Sequence, residues 1–224
     1  MGVAENIALL RKEIPQHVKI VAVSKTMPDA RIHEAYNAGQ RAFGENRVQE
    51  LIEKQQSLPG DMEWHLIGHL QTNKVKYIVP FVQLIHSVDS LRLLSEINRE
   101  ASRIGRKIDC LLQMRIASED TKFGLTWDEA RRILNSSEYK DFQHIRIAGL
   151  MGMATFTDNM GQVKKEFLLL ARYFQEIKKE WFSGVTSFKE LSMGMSGDYW
   201  LAIEAGSTMV RIGSLIFGER NYNH

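Results

Sequence analysis

The stretch Val210-Arg211-Ile212-Gly213-Ser214-Leu215-Ile216-Phe217-Gly218 reads as the last strand of an α/β barrel running into a short helix. An apolar strand carries a cation near its end, and a glycine then lets the following backbone amides face outward. An anion placed there meets bare N–H groups at the positive end of a helix. Met193-Gly194-Met195-Ser196 is read with it, the serine lying fifteen residues before Arg211. The other fixed point is Val21-Ala22-Val23-Ser24-Lys25, a short apolar strand ending in lysine. The two ends of the chain are expected to meet on one bound molecule.

Between them the pattern is a strict alternation. Strands are expected at 18–24, 41–44, 64–68, 81–85, 108–114, 145–150, 190–192 and 208–211, each followed by a helix or helical turn. A further helix is expected at 5–14, ended by Pro15. Ser87-Val88-Asp89-Ser90 caps a helix with Leu91, Leu94, Ile97, Ala101 and Ile104 on one face. Thr126-Trp127-Asp128-Glu129 has the form of a capping box. Val163, Phe167, Leu170, Phe174 and Ile177 recur at helical spacing, and Ser196 is expected to start the helix carrying Trp200, Leu201 and Ile203. Alternation argues for a parallel sheet, and eight units argue for closure. The expected fold class is α/β, a single (β/α)8 TIM barrel spanning residues 1–224 with an extra N-terminal helix. No linker or composition break divides it. The rival is an open doubly wound sheet, which calls for a glycine-rich turn after the first strand; Ser24-Lys25-Thr26-Met27-Pro28 does not supply one.

Composition narrows the class. The chain has 224 residues, 44% hydrophobic and 25% charged, as in ordinary soluble globular proteins. Its formal net charge is +2, without a block of like charges, so neither nucleic acid nor a membrane surface is expected as a partner. No run approaches the ~18 apolar residues of a membrane span, and Met1-Gly2-Val3-Ala4-Glu5-Asn6 opens no signal peptide. Cys110, the only cysteine, is expected to be a buried structural thiol, and the chain fits a reducing, cytoplasmic compartment.

In a barrel the chemistry sits at the C-terminal ends of the strands. Those positions hold Lys25, Gly44-Glu45-Asn46, 65–69, Ser87, Met114-Arg115, 151–154, 193–196 and 211–214. Burial at a strand end disfavours an ammonium ion, and a neutral lysine forms an imine with an aldehyde. The plainer alternative pairs Lys25 with a carboxylate such as Glu45. Ser196 offers a hydroxyl at a helix start, while Gly213 and Ser214 offer backbone N–H groups; the alternative there is a tight turn holding nothing. Amine and anion cradle together suggest a phosphorylated aldehyde, either a sugar phosphate or pyridoxal phosphate. His65 and His69 have zinc-helix spacing but lack the glutamate and cross a strand end, so pocket-lining or hydrogen-bonding roles are expected and no metal. Gly149-Leu150-Met151-Gly152-Met153 is read as close packing at a strand end, and the methionines there and at 193 and 195 as core or pocket wall.

These residues carry a resemblance. Val21-Ala22-Val23-Ser24-Lys25-Thr26, Phe43-Gly44-Glu45-Asn46, Trp64-His65-Leu66-Ile67-Gly68-His69-Leu70-Gln71, Ser87-Val88-Asp89-Ser90, residues 119–125 around Lys122-Phe123-Gly124-Leu125, Gly149-Leu150-Met151, Leu191-Ser192-Met193-Gly194-Met195-Ser196, and 204–220 follow one another along nearly the whole chain. In them the sequence resembles the pyridoxal phosphate homeostasis protein family, and also the barrel domain of bacterial alanine racemases. The resemblance implies a fold-type III barrel that binds pyridoxal 5'-phosphate (PLP) as an internal aldimine on Lys25. It implies that Ser196, Gly213 and Ser214 hold the phosphate, that Arg211 lies beside the pyridine nitrogen or near the phosphate, and that Asn46 and Met193 complete the cofactor-binding set. No catalytic or metal-ligating residue is implied. Arg115 stands where family members often carry asparagine; it either strengthens phosphate or ring contacts or faces solvent.

The implied function is intracellular vitamin B6 homeostasis without turnover, by a monomer that keeps the reactive aldehyde low and can pass PLP to apo-enzymes. An arginine beside the pyridine nitrogen disfavours its protonation and weakens the ring as an electron sink. The alternative is a PLP-dependent amino-acid racemase, which would require an acid/base from a second domain; none is expected in a chain ending at His224. A lysine aldolase acting on sugar phosphates is the third reading.

Overall fold

The computed structural model describes residues 2–117 and 123–218. Eight parallel strands close in sequence order: β1 (Lys19–Val23), β2 (Ala42–Glu45), β3 (Glu63–Leu66), β4 (Leu84–Val88), β5 (Ile108–Met114), β6 (Ile145–Gly152), β7 (Glu190–Met195) and β8 (Met209–Ile212). Closure is made by β1 against β8, with Lys19, Ile20, Val21 and Ala22 opposite Met209, Val210, Arg211 and Ile212. That seam decides against the open sheet. Around the barrel run α1 (Val3–Glu13), α2 (Asp29–Asn37), α3 (Val48–Ser57), α4 (Val75–Ile78), α5 (Leu91–Arg103), α6 (Trp127–Asn135), α7 (Ser137–Lys140), α8 (Met160–Trp181), α9 (Tyr199–Glu204) and α10 (Ser214–Phe217).

The helix signals work as the residue types dictate. The Ser90 hydroxyl accepts the N–H of Leu93 at the start of α5, and Thr126 and Glu129 close a reciprocal capping box on α6. The apolar stripe of α8 is buried at all five predicted positions. Ile104 is the exception on α5: it follows the helix and is half exposed.

Two strands sit elsewhere than expected. The fourth is displaced from 81–85 to Leu84–Val88, because Phe81 and Val82 close the turn after α4, where both N–H groups bond to Ile78 O. The apolar run there packs a turn, and the strand instead carries His86 on its inner face. The seventh runs on to Met195, and α9 begins at Tyr199, not Ser196. Asp198 Oδ1 takes the Met195 N–H at 2.6 Å and ties up the intervening turn. Gly149 lies within β6 rather than at its end, at an irregularity in the β5–β6 register; a Cβ there would fall 1.7 Å from Glu190 O. Only glycine allows that approach.

Strand alternation divides the interior in two. Outward residues such as Phe43, Leu66, Ile85, Leu112 and Met193 meet the helices in the main core. Inward residues Val21, Ala42, Leu84, Leu111, Ala148, Met151 and Met209 plug the lumen. Two residues further along β4 and β8, the same inner face carries His86 and Arg211. Cys110 is buried, and burial pushes its thiol pKa up, so it is held as an inert thiol. No helix among the described residues is long and apolar enough to cross a membrane.

Candidate functional site

Above the polar layer a cavity of about 840 Å³ opens at the C-terminal ends of the strands. Lys25, Asn46, Ser196, Arg211, Gly213 and Ser214 all line it. The amine from the first strand and the backbone nest after the last therefore share one cavity. Met193 does not: strand alternation turns its side chain outward, where it is fully buried against the helices. The neighbouring methionine, Met195, lies in the cavity wall.

Lys25 is half-buried, on a turn that its neighbours clamp from outside the barrel. Lys54 Nζ donates to Ser24 O at 2.6 Å, to Glu45 Oε1 at 2.8 Å and to Glu50 Oε1 at 2.7 Å. The Ser24 hydroxyl donates to the same Glu45 oxygen at 2.6 Å. Glu50 Oε1 also takes the Thr26 N–H at 2.5 Å. Thr26 has φ +66°, a left-handed conformation costly for a β-branched residue, so the turn carrying Lys25 is held against its own preference. Burial pushes the Glu45 carboxyl pKa up, with the charge and hydrogen bonds of Lys54 and the Ser24 hydroxyl opposing. Its Oε2 is buried without a hydrogen-bond partner among the described residues.

The expected anion end of the cavity is built from three segments. The Ser196 hydroxyl stands at the start of α10 rather than of α9, accepting the N–H of Gly213 at 3.3 Å and of Leu215 at 3.5 Å. Both bonds are long, and the first amides of a helix have no partner within it. Oxygen at this place is thus already recognised by the backbone. Arg211 is 4% exposed. It donates from Nη1 to Ser192 Oγ at 2.7 Å and from Nη2 to Gly152 O at 3.1 Å. Burial pushes its pKa down to about 10, with the Asp198 carboxylate opposing, so it keeps its charge at neutral pH.

The two histidines separate. His69 lies on the cavity rim, its Nδ1 3.3 Å from Asp89 and its ring stacked on Phe123 at 4.6 Å. His65 is buried in the lumen, its Nδ1 3.0 Å from His86 Nε2. No group of three or more metal-ligating side chains gathers among the described residues. Arg115 faces solvent and donates to Gly124 O. Sequence reasoning missed Lys54, Glu50, His86, Ser192 and Asp198. Lys54 had a signal, a charge on the face of α3 that also buries Leu51. The resemblance stretches at 119–122 and 219–220 lie outside the described residues.

The model of the alanine racemase N-terminal domain family matches residues 2–221. The chain is 40% identical over 206 residues to the pyridoxal phosphate homeostasis protein of Aquifex aeolicus, covering 91% of this chain and 88% of that one. The structure of PipY from Synechococcus elongatus with PLP bound superposes with a TM-score of 0.87 at 38% identity, over 96% of this chain and all of that one. An alanine racemase from Clostridium difficile matches 99% of this chain and 58% of its own, with a TM-score of 0.81 at 15% identity, a likeness of fold alone.

Proposed function

The chain belongs to the alanine racemase N-terminal domain family and, within it, to the pyridoxal phosphate homeostasis proteins, and from that premise we propose that it binds PLP in the cavity between Lys25 and Gly213 and serves intracellular vitamin B6 homeostasis without turning over a substrate. The observation that carries this reading is one cavity lined at once by a lysine amine, a buried guanidinium and the amides that open α10. That set fits the cofactor: an aldehyde needs the amine, and a phosphate needs the N–H groups that now reach a serine oxygen at 3.3 and 3.5 Å.

When bound, PLP supplies an electrophilic aldehyde and an electron-withdrawing ring. The rest is done by the chain. Lys25 presents the nucleophilic amine, on a turn fixed by Lys54 and Glu50. Ser196, Gly213 and Ser214 receive the phosphate. Arg211 keeps a fixed positive charge in the wall, which disfavours a second proton on any base set against it. A site that withholds that proton favours holding over carbanion chemistry. Asn46 completes the wall beside Lys25. The mouth is open, with Phe156 and Phe123 exposed at its rim, and this supports release of PLP to apo-enzymes, a role we assign to a cytoplasmic monomer.

The test is a single titration series. Purified protein given PLP is expected to acquire a visible band that borohydride fixes, with the label on Lys25 by peptide mass spectrometry. Lys25→Ala is expected to lose the band while retaining weaker PLP binding through the phosphate contacts. A label on another lysine, or complete loss of binding in Lys25→Ala, refutes the assignment. Turnover of alanine or another amino acid by the pure protein would replace it with the racemase reading.

A further inference from the structure

A buried line of polar groups crosses the lumen beneath the cavity. His65 on β3 and His86 on β4 meet at 3.0 Å, His86 Nδ1 lies 3.0 Å from Ser192 Oγ on β7, and Ser192 Oγ lies 2.7 Å from Arg211 Nη1 on β8. His65 is 2% exposed, and His86 and Ser192 are fully buried.

The hydrogens on this line can be placed by elimination. A guanidinium only donates, so Ser192 Oγ accepts from Arg211. The serine proton then needs an acceptor, and the other group in contact with this oxygen is His86 Nδ1. If Nδ1 carried a proton, two donors would point at Ser192 and its own buried O–H would be left without an acceptor, which is costly. Nδ1 is therefore bare and His86 carries its proton on Nε2. That proton goes to His65 Nδ1, so His65 also carries its own on Nε2. Every bond points away from Arg211. Neutrality of both rings agrees: burial, with the charge of Lys19, pushes His65 down to about 3. Burial, then His65, Arg211 and Lys19, hold His86 well below the ordinary histidine value.

We propose that His65, His86 and Ser192 form a one-way hydrogen-bond chain that fixes the Arg211 guanidinium as a donor facing the cavity, and that all three are positioning residues for the PLP ring. The function of the chain rests on the reading of Arg211 as a PLP contact; its polarity does not. With its acceptor locked, Arg211 cannot turn its Nη1 away from Ser192 without leaving a lone pair of the buried Ser192 oxygen without its donor. The line also ties β3 and β4 to β7 and β8 across the lumen, so the arginine is held from the far side of the barrel.

The first measurement is made on cofactor-free protein labelled with ¹⁵N-histidine. Long-range ¹H–¹⁵N correlation is expected to find both rings as neutral Nε2–H tautomers, unchanged from about pH 5.5 to 9. A proton on His86 Nδ1, or titration of either ring with an ordinary midpoint, overturns the chain. The second compares variants. Ser192→Ala is expected to weaken PLP binding roughly tenfold and to shift the visible band of the bound cofactor, while Ser192→Thr, which keeps the hydroxyl, restores both. Wild-type affinity and band in Ser192→Ala would refute the positioning role. Should Ser192→Ala not fold, His86→Asn, whose side-chain oxygen accepts the serine proton but does not reach on to His65, is expected to bind PLP more weakly than the wild type and more tightly than His86→Leu; equal binding by His86→Leu and the wild type refutes the role. Wild-type protein that takes up no PLP would end the functional reading, and the tautomers would still decide the chain.

Discussion

Replacing Lys54 by methionine removes the cation that bonds both the buried Glu45 carboxylate and the partly exposed Glu50 carboxylate. All three ammonium protons of Lys54 are used, on Ser24 O, Glu45 and Glu50, at 2.6, 2.8 and 2.7 Å. The side chain is 6% exposed and its Glu45 partner 0%, so solvent cannot replace it. Removing one partner of a buried pair costs about 3–5 kcal/mol, because the other charge stays buried and uncompensated. For a chain of this size each kcal/mol lowers Tm by about 2–4 °C, so a fall on the order of 10 °C is expected near neutral pH. The deficit depends on pH, and the sign follows from Glu45. Burial already raises its folded-state pKa above the unfolded value, and Lys54 opposes that rise. Without Lys54 the rise is larger, so folded Glu45 binds its proton more readily than the unfolded chain does. The penalty is then fully present above the folded pKa and fades as pH falls through it. Urea denaturation of wild type and Lys54→Met from about pH 8 to pH 5 measures this: the gap is expected to be widest at pH 8 and to narrow on acidification. Adding Glu45→Gln to Lys54→Met is expected to recover part of the loss at pH 8. A deficit under about 1 kcal/mol, the same at every pH, would refute the account of the clamp beneath Lys25.

Two other substitutions probe the cavity wall. Arg211→Gln is expected to weaken PLP binding by tenfold or more, the loss of a charge-assisted bond worth ~1.5–3 kcal/mol, and unchanged affinity by titration would remove Arg211 from the site. Gly68→Ala would set a Cβ 2.3 Å from Asn46 O and 2.8 Å from Asn46 Cα, both backbone atoms. A destabilisation of about 1–3 kcal/mol is expected, with weaker PLP uptake because Asn46 must shift, as thermal melts and the same titration would reveal.

The barrel was legible because its signals are local and repeated. Each βα unit carries an apolar strand, a cap and a helical stripe, and Thr126 with Glu129 or the α8 stripe can be read without knowing the partner. What escaped was the material that only tertiary contact explains. A reading that equates strands with apolar runs takes Phe81-Val82 and leaves out His86 and Ser87, yet the lumen of this barrel is polar above its plug, so the true strand is the less apolar one. Met193 reads as core or pocket wall and is counted in the cofactor-binding set; period-two alternation from inward Ser192 turns it outward into the core, and Met195 takes the wall. Lys25 and the 213–214 amides were legible because lysine at a strand end and glycine before a helix are locally unusual. The clamp under Lys25 was not: at a strand end Glu45 reads as a partner for Lys25, whereas it bonds Lys54, and Glu50 and Lys54 look like ordinary surface charges until β2 and α3 are packed together.

The site and the closure of the barrel are the same event. Lys25 and Gly213 are far apart in sequence, and an open sheet in this order would put them on opposite edges. In the closed barrel β1 and β8 are neighbours, Ala22 opposite Ile212, so the chain leaves the seam within three residues toward Lys25 and within one toward Gly213. Adjacent strands lie about 4.8 Å apart, a gap that one small molecule bridges. The seam is reinforced outside the sheet: Asn6 Nδ2 on α1 donates to Ile216 O at 3.0 Å, and Arg31 Nη2 on α2 to Phe217 O at 2.9 Å. Both bonds hold α10, whose first amides are the proposed anion cradle. The extra N-terminal helix therefore bears on the proposed site at one remove, and a lesion that loosens the β1–β8 seam is expected to disturb the spacing of the amine and the cradle together.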